Sequence, residues 1–447
     1  MTPEERTPRK RRRRRRRPPT QGPNGAAQPN AAPGSGEPRE GQHPAGQKPG
    51  RSRRRRSRNR GRRPDGQGPD SQEISEPGPG SGEPIPVTGV LYLKPNGAGI
   101  LVNPSNNYVP QYGDPTVSRS IIDRNHLQAG IQLGGQGRKT GNGAEMTSLE
   151  IVEGLPLAEF QESRRPFSEL ISIDPLEQFK LESEPNRLTT RVLDLLAPLG
   201  KGQRCLIVAP PKAGKTTLLK DIAFGIEMNH PEVILMVLLV DERPEEVTDI
   251  RRSVKGEVIA SSSDETAENH ITIAEVVLER ARRLVELKHD VVILCDSITR
   301  MSRAYNNEQK SSGRILSGGI DARTMEKPRR FFGSARNAED WGSLTIIATA
   351  LVDTGSRMDE VIFQEFKGTG NTEIVLDRGL FERRIFPAIN IAQTGTRKEE
   401  KLLPPEILPK VQTLRRALAG TDPTNAMRML LERLQKFPTN EAFLKSF

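Results

Sequence analysis

Between residues 205 and 392 the chain repeats one unit. A run of Val, Ile, Leu and Ala, long enough for a strand buried on both faces, gives way to helical spacing. The runs fall at 205–209, 233–240, 291–295, 344–350, 373–376 and 389–392. Between them, Leu218, Leu219, Ile222, Ala223 and Ile226 share one helical face, and Ile273, Val276, Val277 and Leu284 share another. Apolar strands alternating with amphipathic helices predict an α/β domain with a mostly parallel sheet covered on both sides. A helix at 425–436 finishes it. Cys205 and Cys295, the two cysteines of the chain, lie inside two of these runs. They read as small buried apolar residues, without the spacing of a disulfide framework or metal site.

The junction after the first run carries chemistry. Residues 209–216 read Ala-Pro-Pro-Lys-Ala-Gly-Lys-Thr, following a strand and opening a helix. That is the context of a phosphate-binding P-loop, whose backbone amides and helix N-terminus cradle phosphate oxygens. Lys215 would neutralise the β- and γ-phosphates, and Thr216 would ligate Mg²⁺. Ala209 departs from the general pattern, which has glycine there. The run 291–295 ends at Asp296, suited to holding the same metal through water. Hydrolysis further needs a group to orient and deprotonate water. Glu242, just beyond the run 233–240, is the candidate, with its neighbour Asp241 as the alternative.

Upstream the chain changes character twice. Residues 1–88 hold 21 Lys/Arg against 9 Asp/Glu, a net +12, whereas the whole chain carries +11. The basic character therefore belongs to this tail, where arginines cluster at 11–17 and 51–63. Without Phe, Trp or Tyr and with few large aliphatics, it cannot offset its chain entropy by burial and is expected to be disordered. Such an arm binds polyanions through phosphate contacts that salt weakens. Residues 89–153 instead carry short β-like runs at 90–93, 99–102, 117–121 and 148–152, separated by Gly, Asn and Pro turns. This spacing suits a small OB or cold-shock barrel. A linker at 154–190 precedes the α/β domain at 191–447. No run approaches the length of a membrane span, and the arginine-rich start lacks the apolar stretch of a secretory leader, so the expectation is a soluble, cytoplasmic protein.

Several longer runs look like one family. The P-loop itself, Asp-Glu-Arg-Pro-Glu-Glu-Val-Thr at 241–248, Asp-Ser-Ile-Thr-Arg at 296–300 and Arg-Phe-Phe-Gly at 330–333 occur in its order and spacing. So do Glu-Phe-Lys-Gly-Thr-Gly-Asn at 365–371 and Gly-Thr-Arg-Lys-Glu-Glu at 395–400. Over roughly 185–447 the chain resembles the bacterial Rho family of hexameric, RNA-dependent helicases of transcription termination. The resemblance implies a RecA-type ATPase core, ATP and Mg²⁺ as cofactors, and single-stranded RNA, RNA polymerase and five further copies of the chain as partners. It implies that Gly200, Lys201, Gly202, Gln203, Arg204 and Cys205 surround the nucleotide together with Lys212, Ala213, Gly214, Lys215, Thr216 and Thr217. Glu242 would be the catalytic base. Arg243 would contact the nucleotide and Phe386 would stack on adenine. Arg397 would be an arginine finger inserted into the neighbouring site. Arg384 and Arg300 would couple that site to the interface and to RNA. The loops 311–319 and 353–357 would face the pore and hold RNA through Arg314 and Arg357.

The chain departs from the family in three places. The family carries lysine where Arg314 and Arg357 stand. Arginine keeps the charge but adds bidentate phosphate contacts. The barrel's start, 89–91 and 96–101, resembles the family's RNA-binding barrel, yet its base-stacking aromatics are replaced by Ala98 and Ile100. Since stacking contributes about 1–3 kcal/mol per base, this barrel should grip single strands poorly unless Tyr92, Tyr108 or Tyr112 substitutes. The arginine-rich tail stands where the family has a helical segment. Two rivals were weighed. A rotary ATP synthase subunit shares the core fold but is disfavoured by the run 311–319 and the basic tail. A non-motor RNA-binding protein with a vestigial P-loop is disfavoured by Lys215, Thr216, Glu242, Asp296 and Arg397 together.

Overall fold

The computed structural model describes residues 84–141, 143–308, 319–320 and 323–446. The expected disordered tail, with both arginine clusters, lies outside the described residues up to position 83. So does Arg314.

Five strands form the barrel: β1 (Ile85–Leu93), β2 (Gly99–Val102), β3 (Thr116–Val117), β4 (Gln132–Thr140) and β5 (Gly143–Val152). The order β3-β2-β1-β4-β5 closes through a β3–β5 pairing. Alternation decides what faces inward: Leu91, Leu101, Val117 and Leu133 fill the interior. Three sequence expectations need correction here. β1 begins at Ile85, inside the stretch read as tail, because Val87 is buried despite the flanking prolines. The expected strand at 117–121 stops at Val117. Residues Arg119–Arg124 form helix α1, stitched by an Arg119–Asp123 ion pair one turn apart (3.1 Å) and anchored by buried Ile122. β4 was not foreseen, since Gly134, Gly135 and Gly137 give it no apolar alternation. It forms because it pairs with β1 on one side and β5 on the other.

The α/β domain follows. Its strands are β6 (Arg204–Ala209), β7 (Ile234–Glu242), β8 (Glu257–Ser262), β9 (Val291–Asp296), β10 (Ser343–Leu351) and β11 (Thr372–Val375). They run parallel in the order β8-β7-β9-β10-β6-β11. Leu218, Ile222, Ile226, Ile273 and Val277 are buried, as their spacing requires, on helices Lys215–Asn229 and Ala267–Val285. Two apolar clusters cover the two faces of the sheet. Both cysteines are fully buried and free. The run 389–392 does not extend the sheet. After Pro387 it makes a single Leu376–Ile389 bridge and then turns. β8 escaped the sequence reading because its run, Glu-Val-Ile-Ala-Ser-Ser, is half polar. No described helix is long and apolar enough to cross a membrane.

The barrel is seated on the outer strand of this sheet. Tyr108 is buried and its hydroxyl donates to Glu257 on β8. The Asn107 carboxamide oxygen accepts from the Ala260 amide at 3.0 Å and from Arg251 at 2.8 Å. Ile100, Val90 and Val102 belong to the same buried cluster as Leu238 and Ile259 of the sheet. At the other end of the seat, Arg280 reaches Glu153 at 2.5 Å. There Gly130, at φ +85, passes so close that a Cβ would lie 2.4 Å from the Glu279 carbonyl carbon. Gly130→Ala should therefore unseat the barrel, at about 1–3 kcal/mol, from the backbone conformation and the overlap. Limited proteolysis should then cut the connector at 164–187 several-fold faster while ATP turnover persists. An unchanged cleavage rate would contradict the close packing.

Candidate functional site

Parallel strands bring the chemistry to one edge, because all of them end there. β6 ends at Ala209. The loop that follows reaches Gly214, whose φ of +89 is costly for any residue with a Cβ, and helix α4 (Lys215–Asn229) starts at the next residue. β7 ends on Glu242 and β9 on Asp296. The Lys215 Nζ lies 2.6 Å from Glu242 Oε1 and 2.6 Å from Asp296 Oδ1. Both carboxylates are 1% exposed, so this cation is what lets them share a low-dielectric corner. The Thr349 hydroxyl, from β10, donates to Asp296 Oδ1 at 2.7 Å. Arg300 stands 3.4 Å from Glu242 Oε2 and 3.6 Å from Asp241, within ion-pairing distance without donating a hydrogen bond. Asp241, the alternative base, is part-exposed and left-handed (φ +56), whereas Glu242 points into the buried corner.

Burial raises the Glu242 carboxyl above the usual range and the Asp296 charge adds to it, while Lys215 and Arg300 pull the other way. For Lys215, burial works against the charge, but Asp296 and Glu242 outweigh it and its pKa is raised. Lys215 therefore stays cationic, and Glu242 is a stronger base than an exposed glutamate. Two carboxylate oxygens, Glu242 Oε2 and Asp296 Oδ2, are buried and accept no hydrogen bond among the described residues. The Thr216 hydroxyl stands on the first turn of α4 and donates to Glu246 at 3.2 Å. A hydroxyl and an unsatisfied buried carboxylate oxygen make this corner fit a divalent cation.

Beside the loop lies a cavity of about 250 Å³ lined by Ala213, Gly214, Thr217, Leu218, Phe381 and Phe386. Phe386 is 48% exposed and stands edge-on to Phe381 at 5.4 Å, leaving a ring face for an aromatic base. Arg384 is exposed on the same turn, its guanidinium 5.9 Å from the Phe381 ring. Arg243 is exposed at the start of helix α5 (Pro244–Ser253), next to Glu242, and Lys212 is exposed in the loop.

Gly200 through Cys205 stand apart from Lys212–Thr217 of the same subunit. They sit at the amino end of β6, about 20 Å along the strand from Lys212–Thr217. Lys201 pairs with Glu177 and Asp290, the Gly202 amide donates to Thr345, Gln203 donates to Thr372, and Cys205 has no exposed surface. Arg204 and Arg397 meet there. The Arg204 amide donates to the Asn371 side chain, and the Arg397 amide donates to the Asn371 carbonyl at 2.8 Å. The Arg397 side chain is exposed, lines an open cleft of about 480 Å³, and has no ion-pair partner among the described residues.

The nucleotide-binding domain of the ATP synthase alpha/beta family matches residues 189–395. Transcription termination factor Rho of Aquifex aeolicus is 55% identical, over 80% of this chain and 84% of its own length. The Rho of Borreliella burgdorferi is 53% identical over 80% and 70%, and that of Chromobacterium violaceum 49% over 82% and 88%. The chain belongs to the Rho family. Among solved structures, a prototypical type III secretion ATPase matches at TM-score 0.53 and 22% identity, covering 68% of this chain and 93% of its own. The assembled ATPase EscN of enteropathogenic E. coli matches at 0.51 and 21%, covering 69% and 77%. These two share the RecA-type core fold.

Two further features of the corner have little sequence signal. Thr349 is one; it shares its apolar run with a second threonine, Thr345, and only the fold tells them apart. Another is the link between Arg300 and the loop 353–357. Helix α7 (Ile298–Glu308) carries Arg300 to the catalytic corner and Arg303 to Asp359, at 2.8 and 2.5 Å. Buried Asp359 also accepts from Thr354, and it lies two residues beyond exposed Arg357 on helix α9 (Arg357–Lys367).

Arg300 holds the Glu242 pKa down, so Arg300→Ala should raise it further. The base must be ionised to act, so the acid limb of the kcat–pH profile should move to higher pH. Arg300→Lys should restore part of the shift. An acid limb that does not move would remove Arg300 from the field at Glu242.

Proposed function

We propose that this Rho-family chain is an ATP-dependent RNA translocase and helicase that binds nascent single-stranded RNA and promotes termination by RNA polymerase. It works as a ring of six, with ATP between neighbours and RNA through the pore. One observation carries the reading: Arg397 stands at the amino ends of the strands, and Lys215, Glu242 and Asp296 stand at their carboxyl ends. A subunit cannot bring its own Arg397 to its own phosphates. A neighbour stacked head to tail can.

Lys212, Lys215 and the loop amides hold the phosphates, Phe386 stacks on adenine and Arg243 contacts the nucleotide. Glu242 Oε2, without a hydrogen bond of its own, accepts a proton from the attacking water as its oxygen bonds to the γ-phosphorus and the bond to the ADP oxygen breaks. Thr216 and Asp296 would hold Mg²⁺, which would offset the charge on the phosphates. Arg397 of the neighbour offsets the charge that develops on the γ-phosphoryl oxygens. Arg384 couples the base pocket to the interface. Arg300 passes the state of Glu242 into α7, which holds the Arg357 loop through Arg303 and Asp359, and Arg314 and Arg357 hold RNA.

ATP hydrolysis measured with and without homopolymer RNA tests the reading, and RNA stimulation is expected. Arg397→Ala should bind ATP but lose hydrolysis about 10³-fold. Rings mixed with Glu242→Gln subunits should recover activity, because an Arg397 donor then faces an intact Glu242. No recovery in mixed rings would argue against a finger in trans.

RNA capture has a second component. Of the three tyrosines that could replace the missing stackers, Tyr108 is buried on Glu257 and Tyr92 is part-buried, while Tyr112 is 86% exposed. With Ile100 buried as well, Tyr112 is the one exposed ring of the three, and capture falls mainly to the +12 arm at 1–83, upstream of β1. Deleting that arm should weaken RNA binding at low salt and flatten its salt dependence, because fewer counterions are released. Turnover at saturating RNA should change little. Equal affinities and equal salt slopes would make the arm a passive extension.

A further inference from the structure

We propose that Asp174, on the connector between barrel and ATPase core, is a positioning residue for the Arg397 loop and thereby tunes hydrolysis in the neighbouring subunit. The proposal rests on Arg397 acting in trans.

The connector lies across the amino ends of the strands. Ser172 and Ile173 pair antiparallel with Ala338 and Asn337, the Asn337 side chain donates to the Asp174 carbonyl at 3.3 Å, and the Lys201 amide donates to Glu177 at 2.9 Å. Asp174 thus projects from backbone fixed on both sides. Its carboxylate receives Lys398 at 2.9 Å on each oxygen and Lys401 at 2.7 Å on Oδ2.

Both lysines follow the finger directly in the chain. Up to Arg397 the loop is held by the backbone, through Gly395 and Thr396 on β11 and the Arg397 amide on Asn371. Beyond it the support changes. Lys398 is left-handed, at φ +56, a conformation that a non-glycine residue keeps only when its surroundings impose it. What fixes the Lys398 side chain is Asp174, and Lys401 closes the following turn onto the same carboxylate. Hydrogen bonds from Lys401 and Lys398 hold the Asp174 carboxyl below its ordinary range, so it remains an anion. A lone exposed ion pair would do little. Two cations converging on one carboxylate, the strained Lys398 and Lys401 one turn on, set the angle at which the chain leaves Arg397. The connector also begins at the barrel, so a shift of the barrel reaches the finger through Asp174.

The test uses the full chain assembled on homopolymer RNA. Asp174→Asn keeps the shape and removes the charge. It should lower kcat about three- to tenfold while ATP affinity, RNA affinity and Tm stay as in the parent, and Asp174→Glu should recover part of the loss. In mixed rings, the double variant Asp174→Asn/Glu242→Gln should depress turnover at wild-type sites more than Glu242→Gln alone. That difference reports an effect delivered to the neighbour. Arg397→Ala separates the two ideas. If it hydrolyses normally, the finger reading fails and this proposal with it. If it is inactive, yet Asp174→Asn matches the parent in kcat and in mixed rings, the finger stands and the positioning role is overturned. A kcat loss that only tracks a lower Tm would also overturn it.

Discussion

The catalytic edge depends on one ammonium group. Two carboxylates 1% exposed on adjacent strands would not remain ionised side by side without compensation. Lys215 supplies it at 2.6 Å to each, and it can do so only because the loop before it turns through Gly214 and starts a helix at that residue. The loop after β6, Glu242 and Asp296 are therefore one electrostatic unit, the one in which we propose phosphate binding, base and metal ligand. Arg300 trims it from outside: close enough to oppose the rise in the Glu242 pKa, too poorly aligned to take the proton-accepting oxygen out of use.

A parallel sheet has two unlike ends, and this chain uses both. The carboxyl ends hold Lys215, Glu242, Asp296 and the aromatic pocket. The amino ends hold Arg204, Asn371, Arg397 and the connector with Asp174. Six residues of strand separate them, about 20 Å, which no side chain spans. If Arg397 is the finger, as proposed, the polarity of the sheet makes a complete site depend on a second copy of the chain, and that is the physical ground for the proposed ring.

Much of this was legible in the sequence because the relevant signals are local. A strand running into Lys-Ala-Gly-Lys-Thr, or ending in Asp296, declares its chemistry within a dozen residues, and the alternation of buried runs declares the sheet. What was not legible depends on partners far along the chain. β4 has no apolar pattern and exists because β1 and β5 flank it. The helix at Arg119–Arg124 was read as strand because Ile121 and Ile122 are β-branched, although only Ile122 is buried. Gly200–Cys205 were named through the family resemblance alone, and only the structure shows that a strand sets them at the opposite end of the sheet from the P-loop of the same subunit. Asp174 gave no signal at all, since its lysines are more than two hundred residues away.

The barrel illustrates how one position can serve only one contact. In a β-strand, side chains alternate between faces, and on β2 the odd positions, Gly99 and Leu101, belong to the barrel interior. Ile100 and Val102 take the other face, which is buried in the cluster shared with the ATPase sheet, alongside Tyr108. A base cannot stack on a side chain that is 9% exposed. An aromatic residue at position 100 would serve RNA only if this face stood open, and in this chain an aliphatic residue there serves the seat of the barrel instead. Burying β-branched side chains against β8 strengthens the mechanical link from barrel to catalytic domain, while it removes a surface on which bases could be held. On the proposed reading, contact with nucleic acid then leans on charge, in the arm and in Arg357. That is the physical sense in which a weaker binding face and a firmer domain contact are two consequences of one substitution pattern.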